Sequence, residues 1–224
     1  MNIKNIKKSF GKKLVLKGVN FDYKKGQCIG ILGGNGCGKS TLLNILAGVQ
    51  RCDEGEFIFN DIDLLSSPAI RSQIVGFVPQ SPPLIDELSA KDNLRLWYTK
   101  DEMQQSLSDG VLNVLEINDF IKTTVSKMSG GMKKRLAIGC AVAHNPEILL
   151  LDEPSAALDL VCKKSICDYI KSFKNNGGTV IMATHDVQEL SLCDNLYILD
   201  DGILSNYVYD GNPDNIIKKL KNEK

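Results

Sequence analysis

The run Gly33-Gly34-Asn35-Gly36-Cys37-Gly38-Lys39-Ser40 is where this sequence first promises chemistry. Backbone N–H groups bind phosphate only where the main chain comes close to it. Glycine permits that approach because it has no Cβ and tolerates positive φ. The spacing Gly-x4-Gly-Lys-Ser lets Lys39 reach the β- and γ-phosphates of a nucleotide and places the Ser40 hydroxyl to ligate Mg2+. A second group is the run 148–153, an apolar strand ending in the carboxylates Asp152 and Glu153. Carboxylates at the carboxyl end of a buried strand lie where open α/β sheets bind ligands. Beside a phosphate loop, Asp152 would help hold Mg2+ and Glu153 could take a proton from an attacking water. A third group, Ser129-Gly130-Gly131, opens a helical run with Lys133, Lys134 and Arg135 in its first turn. Serine and two glycines at a helix start make a second anion site, whereas a cap alone needs only the serine. Basic residues there oppose the helix dipole, so they are either placed for contact or merely solvated.

These groups need elements to position them. An apolar strand at 28–32 runs into the glycine loop, and helical spacing over 39–47 stops at Gly48. Strand, loop and helix N-terminus together form an anion site, which implies a bound nucleoside triphosphate. Further strands are expected at 14–23, 56–59 and 75–79, with Asn60-Asp61 as a turn. Residues 81–145 carry a mainly helical pattern, clearest at 93–97, 111–115 and 133–143, with His144 closing a helix. Short apolar runs at 148–151, 180–183 and 196–199 read as parallel strands buried on both faces. A helix over 163–174 ends at Asn176-Gly177-Gly178, and Asp201-Gly202 turns a hairpin into 203–207. Lys218-Lys219-Leu220-Lys221 reads as a solvated helix end. The expectation is one α/β domain over 1–224: a parallel core from 1–80 and 146–224, and a helical insert at 81–145.

Composition narrows the classes. With 27 basic and 27 acidic residues there is no net field to favour nucleic acid as a partner. The seven cysteines are odd in number and form no C-x-x-C pair, which fits a reducing cytosol better than a disulfide framework or zinc site. No apolar run at the N-terminus serves as a signal peptide, and none approaches the ~20 residues that cross a bilayer. Cys37, at a helix start, is a candidate for a lowered thiol pKa.

Over nearly its whole length the chain resembles the ATP-binding subunits of ABC transporters. The glycine loop, with Thr41 after it, looks like the family's Walker A motif, and 148–153 followed by Pro154 like Walker B. Met128-Ser129-Gly130-Gly131-Met132 resembles the signature motif, although the family usually has Gln where Met132 stands. Ser155-Ala156-Ala157-Leu158-Asp159 resembles the D-loop, Gln80 the Q-loop glutamine, His185 the switch histidine, and Phe10 the adenine-stacking aromatic. The resemblance implies a P-loop NTPase (RecA-like) core with an antiparallel β subdomain and an inserted α-helical subdomain. It implies ATP and Mg2+ as cofactors, with Mg2+ held by Ser40, Gln80 and Asp152, and Glu153, His185, Lys39 and Gln80 as catalytic groups. Each ATP would lie between the Walker loops of one subunit and Ser129, Gly130, Gly131 and Asp159 of a second. The implied partners are that second ATPase and integral membrane subunits on a separate chain. The place would be the cytoplasmic face of the membrane. Met132 and the segment 88–94 look like exporter-type members. A soluble ABC ATPase of translation or repair, a small-molecule kinase and a non-hydrolysing regulatory module are the alternatives. The signature, Gln80 and His185 speak against the kinase, and the intact Glu153 against the regulatory module.

Overall fold

The computed structural model describes residues 1–212, 215, 216, 218 and 219, so Leu220 and Lys221 of the tail lie outside the described residues. The chain opens with β1 (Asn2–Phe10) and β2 (Lys13–Asp22), and β3 (Cys28–Leu32) then leads to α1 (Lys39–Ala47). β4 (Glu54–Phe59) and β5 (Ile62–Asp63) precede α2 (Pro68–Ile74) and β6 (Val75–Val78). The middle holds α3 (Ala90–Leu94), α4 (Lys100–Ser108), α5 (Val111–Val114) and α6 (Gly130–Ala141), with 3-10 turns at Ile117–Phe120 and Val125–Lys127. There follow β7 (Ile148–Asp152), α7 (Leu160–Asn175), β8 (Thr179–Ala183), α8 (Val187–Leu190), β9 (Asn195–Asp200) and β10 (Ile203–Tyr207).

Two sheets result. One is antiparallel, in the order β2-β1-β4-β5; the other runs β10-β9-β3-β8-β7-β6 and is parallel except for β10. Side chains alternate across a strand, and both faces of the parallel sheet are covered. Ile29, Ile31, Ile148, Leu150 and Ile181 turn toward a core shared with α1 and the antiparallel sheet. Leu149, Leu151, Val180 and Met182 turn the other way, into a core built with α6, α7 and the helices of the insert. That double burial is why these strands read as unbroken apolar runs in the sequence.

The fold class agrees with the sequence reading, and the differences lie in particular elements. β1 was not expected as a strand. Its buried residues Ile3 and Ile6 stand three apart because the register shifts around Asn5, whose φ is 49°, and the bulge hides the alternation. α2 and α4 also lay outside the clearest expectations. Ser67 with Pro68 starts α2, and α4 opens on a capping box between Thr99 and Glu102, but only Met103 of α4 is buried. The helix expected at 93–97 is α3, a few residues earlier. α7 starts at Leu160, where Asp159 caps it, rather than at residue 163. His144 does not close α6. The helix ends at Ala141 with Val142 as its C-cap, and His144 stands exposed beyond it.

The insert sits on the sheet through Gly76 of β6. A Cβ there would lie 2.6 Å from the Ala141 carbonyl at the end of α6 and 2.9 Å from Pro146 Cγ. Gly76→Val should therefore lower stability to urea by roughly 1–3 kcal/mol, as overpacking does. An unchanged midpoint would show that α6 does not press on β6.

Candidate active site

The parallel register brings four strand ends to one edge. Ile31 of β3 and Asp152 of β7 both pair with Ala183 of β8, and Val78 of β6 pairs with Leu151. The glycine loop, the segment Thr184-His185, the pair Asp152-Glu153 and the segment Pro79-Gln80 therefore leave the sheet side by side. In the loop, Gly33, Gly36 and Gly38 all have positive φ. A Cβ on Gly33 would come 2.3 Å from the Leu199 carbonyl, so only glycine fits. α1 starts at Gly38 with no side-chain cap and no acidic residue in its first turn, which leaves its N-terminus available to an anion. Lys39 is buried, and its Nζ donates to the carbonyls of Gly33 at 2.7 Å and Gly34 at 3.1 Å. A cavity of about 380 Å³ is lined by Asn35, Gly36, Gly38, Lys39, Ser40, Thr41, Gln80 and Glu153.

Glu153 stands at the centre of the remaining groups. Gln80 Nε2 donates to its Oε2 at 3.4 Å, and His185 Nε2 lies 3.2 Å from its Oε1. Its own backbone is in the left-handed region, φ 47°, and its N–H donates to the Ala183 carbonyl at 2.9 Å. Partial burial, and then the Lys39 charge, hold His185 below the ordinary histidine value, against the pull of Glu153. The imidazole is thus neutral at neutral pH and can donate from Nε2. Asp152 is buried, which pushes its carboxyl up, while a hydrogen bond from Ser40 pulls it down. Ser40 and Asp152 offer oxygen donors of the kind Mg2+ takes, and no larger cluster of His, Cys, Asp and Glu occurs among the described residues. That sparse set suits Mg2+, which is usually bound through one or two carboxylates together with substrate phosphates and water.

Other candidates stand elsewhere. Ser129 caps α6 by accepting from the Met132 N–H at 3.3 Å, and with Gly130 it faces solvent rather than the chain's own phosphate cavity. Gly131 has a packing reason as well, since a Cβ there would lie 2.4 Å from Cys162 Sγ of α7. Phe10 is half exposed at the end of β1, so it is no core residue, and Lys8 Nζ lies 5.6 Å from its ring centre. Asp159 accepts from the Cys162 N–H at 2.9 Å, and those bonds hold its carboxyl below the usual range. The expectation for Cys37 is corrected. Its Sγ turns inward against Gly33 and the core, it does not line the cavity, and burial pushes the thiol up rather than down.

The basic run in α6 is placed for contact, within the chain. Lys133 pairs with Asp86 at 3.2 Å, and Arg135 with Glu116 at 2.5 Å over the Phe120 ring. Lys134 is the residue of this run whose contacts reach the candidate site, which sequence reasoning left unresolved. It is buried, and its Nζ donates to the carbonyls of Pro79 and Gln80, both at 3.2 Å, and of Asp152 at 3.4 Å. The signature helix is thereby tied to the two strand ends that carry Gln80 and Asp152.

Residues 16–156, well over half of the chain, match the family described as ABC transporter. This protein belongs to the ABC transporter family. It is 35% identical over 208 residues to the linearmycin resistance ATP-binding protein LnrL of Bacillus subtilis, covering 90% of this chain and 67% of that one. It is 34% identical over 213 residues to the lantibiotic transport ATP-binding protein SrtF of Streptococcus pyogenes, covering 94% and 92%. A spermidine/putrescine import ATP-binding protein of Mycoplasma mycoides is 32% identical over 229 residues, covering 99% of this chain but only 64% of its own length. Among solved structures, a dimeric ATP-binding cassette bound to ADP and Pi aligns with a TM-score of 0.81 at 30% identity, over 93% of this chain and 99% of that one. A nucleotide-free cassette aligns with a TM-score of 0.85 over 100% and 98%, a likeness of fold at 24% identity. No helix of the described residues in this ABC family chain is long and apolar enough to cross a membrane.

The chain has two histidines, so proton NMR can follow the His185 ring directly. His185 should titrate below the ordinary histidine value. Lys39→Ala should raise its pKa, because a positive charge that disfavours the imidazolium is removed. A pKa above the ordinary value, or one indifferent to Lys39→Ala, would refute this placement. Iodoacetamide should label Cys37 slowly at neutral pH, because the thiolate is scarce. Rapid labelling would show the thiol facing outward.

Proposed function

We propose that this chain binds MgATP and hydrolyses it as one half of a head-to-tail pair of cassettes, and that the cycle powers membrane subunits on a separate chain. The observation that carries the reading is Glu153 held at the edge of the phosphate cavity, with one carboxylate oxygen on Gln80 and the other on His185. The loop amides and the α1 N-terminus would bind the phosphates. Lys39, now satisfied by loop carbonyls, would exchange them for the β- and γ-phosphates. Ser40, Asp152 and Gln80 would hold Mg2+, which when bound neutralises charge on the transferring phosphoryl group. Glu153 would accept the proton of the attacking water. Neutral His185 would hold that carboxylate in place and reach the γ-phosphate. Phe10, half exposed, would stack on adenine.

Ser129 and Gly130 are exposed and do not line the cavity that their own chain forms, which supports a second subunit completing each site. Relatives named for lantibiotic transport and linearmycin resistance, together with Met132, favour export, although a polyamine importer is also similar. The membrane subunit would meet the chain at the apolar cleft between core and insert. There a cavity of about 420 Å³ is lined by Phe77, Pro79, Leu84, Ile85 and the exposed Leu96 and Trp97. Such a partner would place the chain on the cytoplasmic face of the membrane.

Glu153→Gln tests the reading. It keeps the shape and removes the basic oxygen, so hydrolysis should fall by ~10²–10⁴-fold or more while ATP binding survives. ATP should then remain intact between two subunits, and the variant should shift from monomer to dimer on sizing when ATP is added. Lys39→Ala should lose both affinity and dimer. Normal hydrolysis by Glu153→Gln would remove Glu153 as base, and a saturated but monomeric variant would sink the two-subunit site.

A further inference from the structure

Behind Glu153 and His185 lies a carboxyl that the proposed chemistry does not use. Glu189 of α8 is 1% exposed and lines a cavity of about 200 Å³ together with Glu153, Ala156, Thr184, His185 and Asp186. Its Oε2 accepts a hydrogen bond from the Thr184 hydroxyl, which itself accepts from the Asp186 N–H at 2.9 Å. Its Oε1 is buried and has no hydrogen-bond partner. The same holds for the hydroxyl of Ser155, also 1% exposed, which lies near enough to act on the carboxyl: burial pushes Glu189 up, and the Ser155 and Thr184 hydroxyls pull it back.

Two complementary buried groups, close enough to act on each other but outside hydrogen-bond geometry, lie at the junction of two loops. Thr184 immediately precedes His185. Ser155 is separated from Glu153 only by Pro154. A small movement of the loop 153–159 would let Ser155 donate to Glu189 Oε1 and satisfy both atoms, since unpaired polar groups are costly in an interior. The loop has reason to move, because Glu153 and Ala157 both hold left-handed φ, 47° and 60°, without being glycine. Its far end is already tied to the same region: Asp186, which caps α8, pairs with Lys163 of α7 at 2.5 Å.

We propose that Glu189 is a positioning residue. Its carboxyl joins the loop that carries Glu153 to the loop that carries His185, through Ser155 on one side and Thr184 on the other, and so sets the geometry of the Glu153–His185 pair. The inference rests on the proposed hydrolytic role of that pair, but the link needs no nucleotide: its Thr184 half is already formed, and a small movement of the loop 153–159 would complete the Ser155 half.

Hydrogen exchange of the full chain and its steady-state ATPase, measured on Glu189→Ala, Glu189→Gln, Ser155→Ala and the double alanine variant, test it. Glu189→Ala should speed exchange at residues 156–159 at least several-fold in the absence of nucleotide, and lower kcat about tenfold or more with KM for ATP changed by less than about threefold. Ser155→Ala, which removes a single oxygen, should act in the same direction, and the double variant should be no worse than Glu189→Ala alone. Glu189→Gln should restore both readouts, because its amide can accept from Thr184 and donate to Ser155. Unchanged exchange in Glu189→Ala, or effects of the two alanines that multiply, would overturn the link. Loss of kcat in Glu189→Gln with normal exchange would also overturn it, by showing that the carboxyl acts chemically. Should Glu189→Ala fail to fold, Ser155→Ala and Glu189→Gln decide alone. A wild-type chain that hydrolyses no ATP refutes the proposed function and leaves the exchange result to judge the link.

Discussion

Everything at this site depends on the in-phase parallel pairing of β3, β8, β7 and β6. Parallel strands all point their carboxyl ends the same way, and here the register leaves no strand more than a residue or two ahead of its neighbours. Four loops far apart in sequence therefore start from a common line, which is how Lys39, Gln80, Glu153 and His185 come within reach of one another. A slip of one residue in β7 would exchange the two faces of that strand. Leu149 and Leu151 would face the α1 side, Ile148 and Leu150 the insert, and Glu153 would leave Gln80 and His185. The apolar packing on both faces thus fixes the position of the carboxylates without touching them.

Charge is balanced locally, in a way that suits an anionic ligand. Lys39 donates to two loop carbonyls, Asp152 has the Ser40 hydroxyl and the charges of Lys134 and Lys39 near it, and Glu153 has a neutral amide and a neutral imidazole. No acidic side chain caps α1, so nothing of like charge competes for its amide end. Lys134 adds a cation whose partners are three carbonyl oxygens, and burial holds its pKa down. Because those carbonyls belong to the Gln80 and Asp152 segments, any displacement of either is felt at α6 and hence at the signature.

Much of this was legible in the sequence, where independent signals coincide. The strand 28–32, the glycine loop and the helix 39–47 are each ambiguous alone and unambiguous in series. The apolar runs of β7, β8 and β9 are plain because both faces are buried. Legibility failed where a tertiary feature breaks a period. Asn5 bulges β1, and α4 buries a single residue, so neither shows its repeat, though the Thr99-x-x-Glu102 capping box was there to be read. Side-chain direction was the other gap. Lys133, Lys134 and Arg135 follow one another on a helix at about 100° intervals, so they cannot share a role, and sequence alone does not say that Lys134 and Arg135 are buried while Lys133 is not. Cys37 failed for the same reason: a place at a helix start says nothing of whether the thiol faces the ligand or the core.

The glycines of the signature show how packing and function can require the same residue. Gly131 lets α6 approach Cys162 on α7, and that contact holds the start of α6 against the first turn of α7. Gly130 has no such neighbour; the nearest atom to a Cβ there is Leu158 Cδ2 at 3.6 Å, an ordinary contact. Within one chain, therefore, Gly131 is explained and Gly130 is not. An exposed helix start with a serine cap and a glycine that its own subunit does not need is what a surface meeting a phosphate from outside would require. The side of the molecule that lacks an internal explanation is the side on which the proposed pair of cassettes would close.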